Sequence, residues 1–211
     1  FAFLPHYPEI TIKLTIRGTD RKSLEKKLKA VERKTTRILG DIVFGRDEET
    51  LELAVGNLLQ QAGATLALAE SCTGGFITHR ITNVPGSSAY LERALIVYSN
   101  RAKKELLSMP ASLLSKHGAV SEEAAAHMAR EVRRLSKATI GLAVTGIAGP
   151  GGGTPEKPVG TVFIALSHKR QVTTYRHQFY GDRSQIKHIT SQYALDYLRR
   201  LLLTADDAGS N

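Results

Sequence analysis

The chain has 211 residues, 42% hydrophobic and 23% charged, with 18 Gly and 7 Pro, a globular composition that excludes a mostly disordered polymer. Twenty-nine Lys and Arg against 20 Asp and Glu give a formal net charge of +9, which favours anionic partners without choosing among nucleic acid, a membrane surface and a phosphorylated metabolite. The single cysteine, Cys72, excludes an internal disulfide framework and a multi-cysteine zinc site, and fits a reducing cytosol.

In chain order, residues 10–17 alternate, with Ile10, Ile12, Leu14 and Ile16 on one face and Thr11, Lys13, Thr15 and Arg17 on the other, which predicts a half-buried strand. After a turn at Gly18, Leu24, Leu28, Val31, Thr35 and Ile38 fall at helical spacing. Gly40 stops that helix and residues 41–45 read as a short strand, giving a small β-α-β unit with 11 basic and 6 acidic residues through Asp47. Asp47 reads as the cap of the next helix, with Glu48 and Glu49 in its first turn and Leu51, Val55, Leu58 and Leu59 buried. A domain boundary near Asp47 divides residues 1–47 from a second domain, 48–204, and residues 205–211 form a polar tail.

Beyond the boundary, strands and helices alternate: strand 64–69, helix 73–82, strand 93–98, helix 100–107, a helix capped by Ser121, and strand 140–144. A Gly-rich loop, 145–153, is followed by a hairpin of strands 161–167 and 172–179. A final helix, 184–203, is expected to bury Ile186, Ile189, Tyr193, Tyr197 and Leu201. This order predicts a layered α/β domain with a mixed sheet. No apolar run approaches the roughly 18 residues of a spanning helix, and the start lacks a signal-peptide pattern, so no membrane association and a cytoplasmic location are expected. Phe1 in place of Met suggests part of a longer chain.

Ligands of open α/β sheets bind at the carboxyl ends of strands, and three candidate segments lie there. In Glu70-Ser-Cys-Thr-Gly-Gly75 a strand turns into a helix, so a nucleophile would project from a tight turn beside free backbone N–H groups. On spacing alone, a plain cap is the commoner role for Ser71 or Thr73, and a small packed hydrophobe a commoner role for Cys72 than a nucleophile. In Tyr98-Ser-Asn-Arg-Ala-Lys103, Asn100 reads as the cap and Lys103 falls in the first turn. There the helix end, Arg101 and Lys104 would lower its pKa if it is buried; a neutral lysine deprotonates serine, and a solvated one does nothing. Thr145 heads the Gly-rich loop, which lacks the Lys-Ser/Thr ending of a P-loop but offers N–H groups to phosphate or carbonyl oxygen. Asp182 reads as a helix cap with Arg183 beside it, able to fork onto phosphate. The seven histidines, His6, His79, His117, His127, His168, His177 and His188, form no metal-binding spacing, so no metal is expected.

Together Glu70-Ser-Cys-Thr-Gly-Gly75, Val84-Pro-Gly-Ser-Ser88, Tyr98-Ser-Asn100 with Lys103, His117-Gly-Ala-Val-Ser-Glu122, Val144-Thr-Gly-Ile-Ala-Gly-Pro-Gly-Gly-Gly153, Lys157-Pro-Val-Gly-Thr161 and Gly181-Asp-Arg183 resemble the CinA C-terminal family of nicotinamide-nucleotide amidohydrolases. The match runs in order from about Glu48 to Leu203. It implies hydrolysis of the carboxamide of nicotinamide mononucleotide (NMN) to nicotinate mononucleotide and ammonia. Carried over position by position, Ser71 is the nucleophile and Lys103 its general base. Tyr98 and Thr145 hold the pair and the amide, and Arg183 meets the substrate phosphate. Backbone N–H groups around Thr73 and Gly74 are candidates for the oxyanion hole, and Gly146 and Gly149 belong to the loop gripping phosphate. The resemblance implies no metal or organic cofactor and a homodimer or larger assembly.

Residues 1–47 resemble the KH-like module that precedes this domain in full-length members, whose still earlier domain is absent here. A nucleic-acid-binding KH module carries a Gly-x-x-Gly loop, and residues 1–47 contain none, so nucleic acid is not the expected partner. A non-catalytic nucleotide-binding module is the competing reading.

Overall fold

In the computed structural model, which describes residues 1–207, the chain falls into two compact units, Phe1–Glu48 and a second from Glu49 onward. The first opens with an antiparallel hairpin, β1 (Ala2–His6) and β2 (Glu9–Lys13), followed by helix α1 (Arg21–Leu39), capped by Asp20 accepting from the Lys22 N–H at 3.1 Å. Its order is therefore β-β-α, not the expected β-α-β. The segment after Gly40 is a 3-10 turn, Gly40–Ile42, rather than a strand, and the additional strand lies at residues 2–6, where Pro5 interrupts any apolar alternation. Ile10 is 68% exposed and α1 buries no residue fully, because so small a unit has too little apolar surface to enclose a core.

The second unit begins with α2 (Leu51–Gln61), capped by Thr50, whose side chain accepts from the Leu53 N–H. Asp47 is not the cap: its φ of 52° is left-handed, and Glu52 is the acid in the first turn. Next come β3 (Leu66–Glu70), α3 (Phe76–Thr82), β4 (Leu91–Ile96), α4 (Asn100–Leu107), α5 (Ala111–His117), α6 (Glu122–Ser136), β5 (Ile140–Gly146), β6 (Thr161–His168), β7 (Gln171–Gln178) and α7 (Arg183–Asp207). Helix α5, after Pro110, is additional to the expected elements, and α7 continues through residues 205–207 of the expected tail. Residues 208–211 of that tail lie outside the described residues.

The sheet order is β4-β3-β5-β6-β7; β4, β3 and β5 run parallel, and the β6–β7 hairpin runs against them. Side chains alternate across it. Ala67, Ala69, Ala143 and Ala165 face α6 and join Met128, Ala129 and Val132 in one cluster. These small residues let α6 come close: a Cβ on Gly141 would lie 2.1 Å from the Ala129 carbonyl oxygen. The alternate set, Leu66, Leu68, Leu142, Val144, Ile164 and Leu166, is buried on the opposite face. Each such aliphatic side chain contributes about 2 kcal/mol of transfer free energy.

On α7 the core-facing residues are Ile186, Thr190, Ala194, Leu195, Leu198 and Leu202, a stripe rotated from the expected one. Tyr193 and Tyr197 leave the core to pack with β7. The Tyr197 ring stacks on Tyr175 at 3.7 Å between centroids, and its hydroxyl meets His177 Nε2 at 2.9 Å.

Candidate active site at the strand ends

Glu70 on β3 lies beside Ile96 on β4 and Val144 on β5, so Ser71, Val97 and Thr145 follow at the carboxyl ends of three adjacent strands. Two backbone bonds hold this edge: the Ser71 N–H donates to the Val144 carbonyl at 3.0 Å, and the Val97 N–H to the Glu70 carbonyl at 2.8 Å. Helix α4 then starts at Ser99, whose hydroxyl accepts from the Ala102 N–H; Ser99, not Asn100, is the cap. One turn in, Lys103 points back under the sheet edge and is 1% exposed. Its Nζ lies 2.9 Å from Ser71 Oγ, 2.7 Å from the Val97 carbonyl oxygen and 3.3 Å from that of Tyr98.

This geometry sets the protonation logic. The two carbonyl oxygens only accept, so they take two of the amine's hydrogens. The remaining position faces Ser71 Oγ, which accepts from an ammonium or donates to the lone pair of a neutral amine. Burial lowers the Lys103 pKa from 10.5 to about 8, with the nearby Cys72 thiolate form a smaller opposing influence. The expected cationic neighbours do not cause this: Arg101 and Lys104 are exposed, and Arg101 lies 3.7 Å from Glu105. Burial pushes the Cys72 thiol up to about 12, which leaves it protonated and packed and removes it as a nucleophile.

Glu70 was not singled out by sequence reasoning, yet it organises the turn. It is fully buried. One carboxylate oxygen accepts from Thr73 Oγ1 at 2.6 Å, the Gly75 N–H at 3.0 Å and the Ile77 N–H at 3.1 Å; the other accepts from the Thr78 N–H at 2.7 Å and Thr78 Oγ1 at 2.6 Å. The carboxylate thus satisfies N–H groups that a helix start leaves open. The readable signal was an acidic residue ending an otherwise apolar strand just before a helix, where a buried charge needs donors.

This arrangement revises the oxyanion candidates. The Gly74 N–H is committed to the Ser71 carbonyl at 3.1 Å, and the Thr73 hydroxyl to Glu70. The N–H groups of Cys72 and Thr73, next to Ser71, donate to no backbone carbonyl among the described residues and are the donors of the turn left for a substrate oxygen. Gly74 itself, at φ +62°, has a left-handed backbone that favours glycine.

Tyr98, 57% exposed, and Arg183 meet: the Arg183 guanidinium donates to Tyr98 Oη at 2.6 Å and to the Gly149 carbonyl at 2.7 Å. Arg183 is the first residue of α7, whose start is capped by Asp182 accepting from the Gln185 N–H. One side chain therefore ties together the segment after β4, the Gly-rich loop and α7. Gly146 ends β5 opposite Val162. Gly149 lies further along at φ +79°, where a Cβ would come within 2.6 Å of Val159. Thr145 is buried and gives its hydroxyl proton to the Ala119 carbonyl at 2.8 Å, so it fastens the turn before α6 to the sheet edge.

A cleft of about 370 Å³ at the start of α6, lined among others by His117, Glu123, Lys157 and Arg176, takes in neither Ser71 nor Lys103. Of the pair, Ser71 is 7% exposed and Lys103 1%. Among the described residues no three His, Cys, Asp or Glu side chains gather to hold a metal ion, and no helix is long and apolar enough to cross a membrane.

Comparison with known proteins places the chain. A family model described as the CinA C-terminal domain matches residues 48–202. The chain is 50% identical over 202 residues to a CinA-like protein of Geotalea daltonii, covering 96% of this chain and 49% of that protein. It is 46% identical over 202 residues to a putative competence-damage inducible protein of Halothermothrix orenii, covering 95% of this chain and 49% of that one. The chain thus spans about half the length of the curated relatives it matches. Among solved structures, it is similar to the competence/damage inducible protein CihA of Agrobacterium tumefaciens, with a TM-score of 0.70 and 38% identity over 75% of this chain and 98% of that one. The competence damage-inducible protein A of Klebsiella pneumoniae gives 0.71 and 34% over 72% and 95%. With its family match extending from the start of the α/β unit almost to the end of α7, the chain belongs to the CinA C-terminal domain family.

Proposed function

We propose that the chain is an amidohydrolase acting on the carboxamide of NMN, with Ser71 as nucleophile and Lys103 as general base. The observation that carries this reading is the buried lysine amine 2.9 Å from a serine hydroxyl, with no carboxylate among its hydrogen-bond partners to hold it charged and its pKa lowered to about 8. Near neutral pH the amine is uncharged in a usable fraction, which suits a general base.

In the first step the Lys103 lone pair takes the Ser71 hydroxyl proton as Oγ bonds to the amide carbon. Negative charge moves to the carbonyl oxygen, and the backbone N–H groups of Cys72 and Thr73 are assigned to stabilise it. One such preorganised donor is worth about 3 kcal/mol. The Lys103 ammonium then donates its proton to the departing nitrogen as the C–N bond breaks, releasing ammonia and leaving an ester on Ser71. Water attacks that ester while the neutral amine takes its proton; the resulting ammonium gives the proton to Ser71 Oγ as the ester C–O bond breaks, which frees nicotinate mononucleotide and restores the serine and the neutral lysine. The carbonyls of Val97 and Tyr98 accept from Nζ in both protonation states, so that its remaining position, a lone pair or an N–H, is aimed at Oγ. The linkage from Tyr98 through Arg183 to Gly149 leaves further guanidinium donors for the substrate phosphate, and Thr145 holds the sheet edge.

The test is ammonia release from NMN by the wild-type chain, Ser71→Ala and Lys103→Ala. Loss of at least a thousandfold in each variant is expected for a nucleophile and its base. Undiminished turnover in either refutes the pairing, and NMN binding without turnover by the wild type supports the non-catalytic nucleotide-binding reading instead.

A further inference from the structure

Helix α7 carries Arg183, Lys187 and Ser191 at successive intervals of four, one stripe along its surface. Both ends of this stripe are fixed. Arg183 reaches Tyr98 Oη and the Gly149 carbonyl, while Ser191 Oγ accepts from Arg80 of α3 at 2.9 Å; Arg80 is itself ion-paired to Glu52 at 2.7 Å. Between them the His188 ring packs edge-on to Phe76 at 4.5 Å, fixing α7 against the start of α3.

Lys187, held in the middle of this stripe, is half-buried, and its Nζ lies 3.9 Å from where a Cβ on Gly74 would sit. Its ammonium therefore hangs over the Ser71–Gly75 turn. Among the described residues it has no hydrogen-bond or ion-pair partner. Two acids of the neighbouring segments have hydrogen-bond partners of their own: the Glu70 carboxylate accepts five hydrogen bonds, and Asp182 caps α7. Two cations thus border the nucleophile turn, one with spare donors and one with none of its donors used. A half-buried ammonium with no hydrogen-bond or ion-pair partner of its own favours a bound anion.

We propose that Lys187, together with Arg183, forms the subsite that recognises a phosphomonoester on the substrate, and so sets the preference for a nucleotide over its nucleoside. This rests on the amide-hydrolysis reading for its substrate but concerns a residue outside the chemical step. Arg183 grips the phosphate from the Gly-rich-loop side and Lys187 from the α3 side, while the amide at the other end of the substrate is directed at Ser71.

The experiment measures ammonia release from NMN and from nicotinamide riboside, which differs only by the phosphate, in the full chain, Lys187→Gln and Lys187→Arg. A hydrogen bond to a charged group lost on substitution corresponds to roughly a tenfold to hundredfold effect. Lys187→Gln is expected to raise KM for NMN at least tenfold while kcat falls less than threefold. The ratio of kcat/KM for NMN to that for the riboside then falls at least tenfold, and Lys187→Arg restores most of it. A parallel loss on both substrates, or an unchanged NMN KM, overturns the proposal. If the wild type releases ammonia from neither substrate, the amide-hydrolysis reading fails, and calorimetric binding decides the subsite. NMN binding that is tenfold weaker in Lys187→Gln supports it; equal binding, or none in the wild type, overturns it.

Discussion

The turn around Glu70 and the start of α4 around Lys103 each bury a charged side chain on either side of Ser71, and they treat it in opposite ways. Glu70 receives five hydrogen bonds from Thr73, Gly75 and α3; a carboxylate so supplied works as structure. Lys103 has two carbonyls and a hydroxyl, with no anion to neutralise it. Its charged form is the one that burial penalises. Equal burial with unequal satisfaction separates a clamp from a base. The fold places the two at neighbouring strand ends, so that the clamp holds the nucleophile still while the base remains free to exchange a proton.

Substitution on the Glu70 side should produce the larger loss of stability. Glu70→Gln turns one acceptor oxygen into a donor that faces N–H and hydroxyl donors, so two or three bonds are lost at once. A destabilisation of about 3 kcal/mol is expected in urea unfolding; a loss under about 0.5 kcal/mol would show that the carboxylate is not the clamp described.

The Lys103 side should show a smaller effect, visible as a pH dependence. Its folded pKa, about 8, lies below its ordinary value of 10.5, so between those values the unfolded chain binds more protons than the folded one. Stability therefore rises with pH across that window: the cost of burying the charge is complete below about pH 8 and relieved above about 10.5. After discounting for solvent screening, the size is on the order of 2 kcal/mol. Comparing unfolding of the wild type and Lys103→Met at pH 7.5 and 10.5 should show the wild type gaining by that amount. Parallel stabilities would put Lys103 at an ordinary pKa.

Much of this contrast was legible in the residues and part was not. The strand-to-helix junctions at Ser71 and Lys103 were readable because apolar strand runs end there and capping residues follow. That Lys103 turns inward while Arg101 and Lys104 turn to water was not, since three cations at close spacing give no sign of which one faces the sheet edge. Glu70 was hidden because its partners are mostly backbone N–H groups, which carry no residue identity. On α7 the aromatic residues misdirected the assignment of the buried face. Tyr193 and Tyr197 look like core residues by period but pack with Tyr175 and His177 of β7, and the stripe holding Lys187 emerges only once the helix is turned correctly. In the first unit, Ile10 and Ile38 follow apolar spacing yet stay exposed: periodicity reports which side would be buried, and the amount of chain available decides whether it is.

Activation of Ser71 requires the Lys103 amine to be held ready to be neutral beside it. The direct measurement is an NMR titration of lysine Cε signals in the full chain, with Lys103 assigned by its disappearance in Lys103→Met. An inflection near pH 8 is the predicted result. One near 10.5, alongside the solvent-exposed lysines, would contradict it, leaving a charged amine donating to the serine oxygen and no base to activate it.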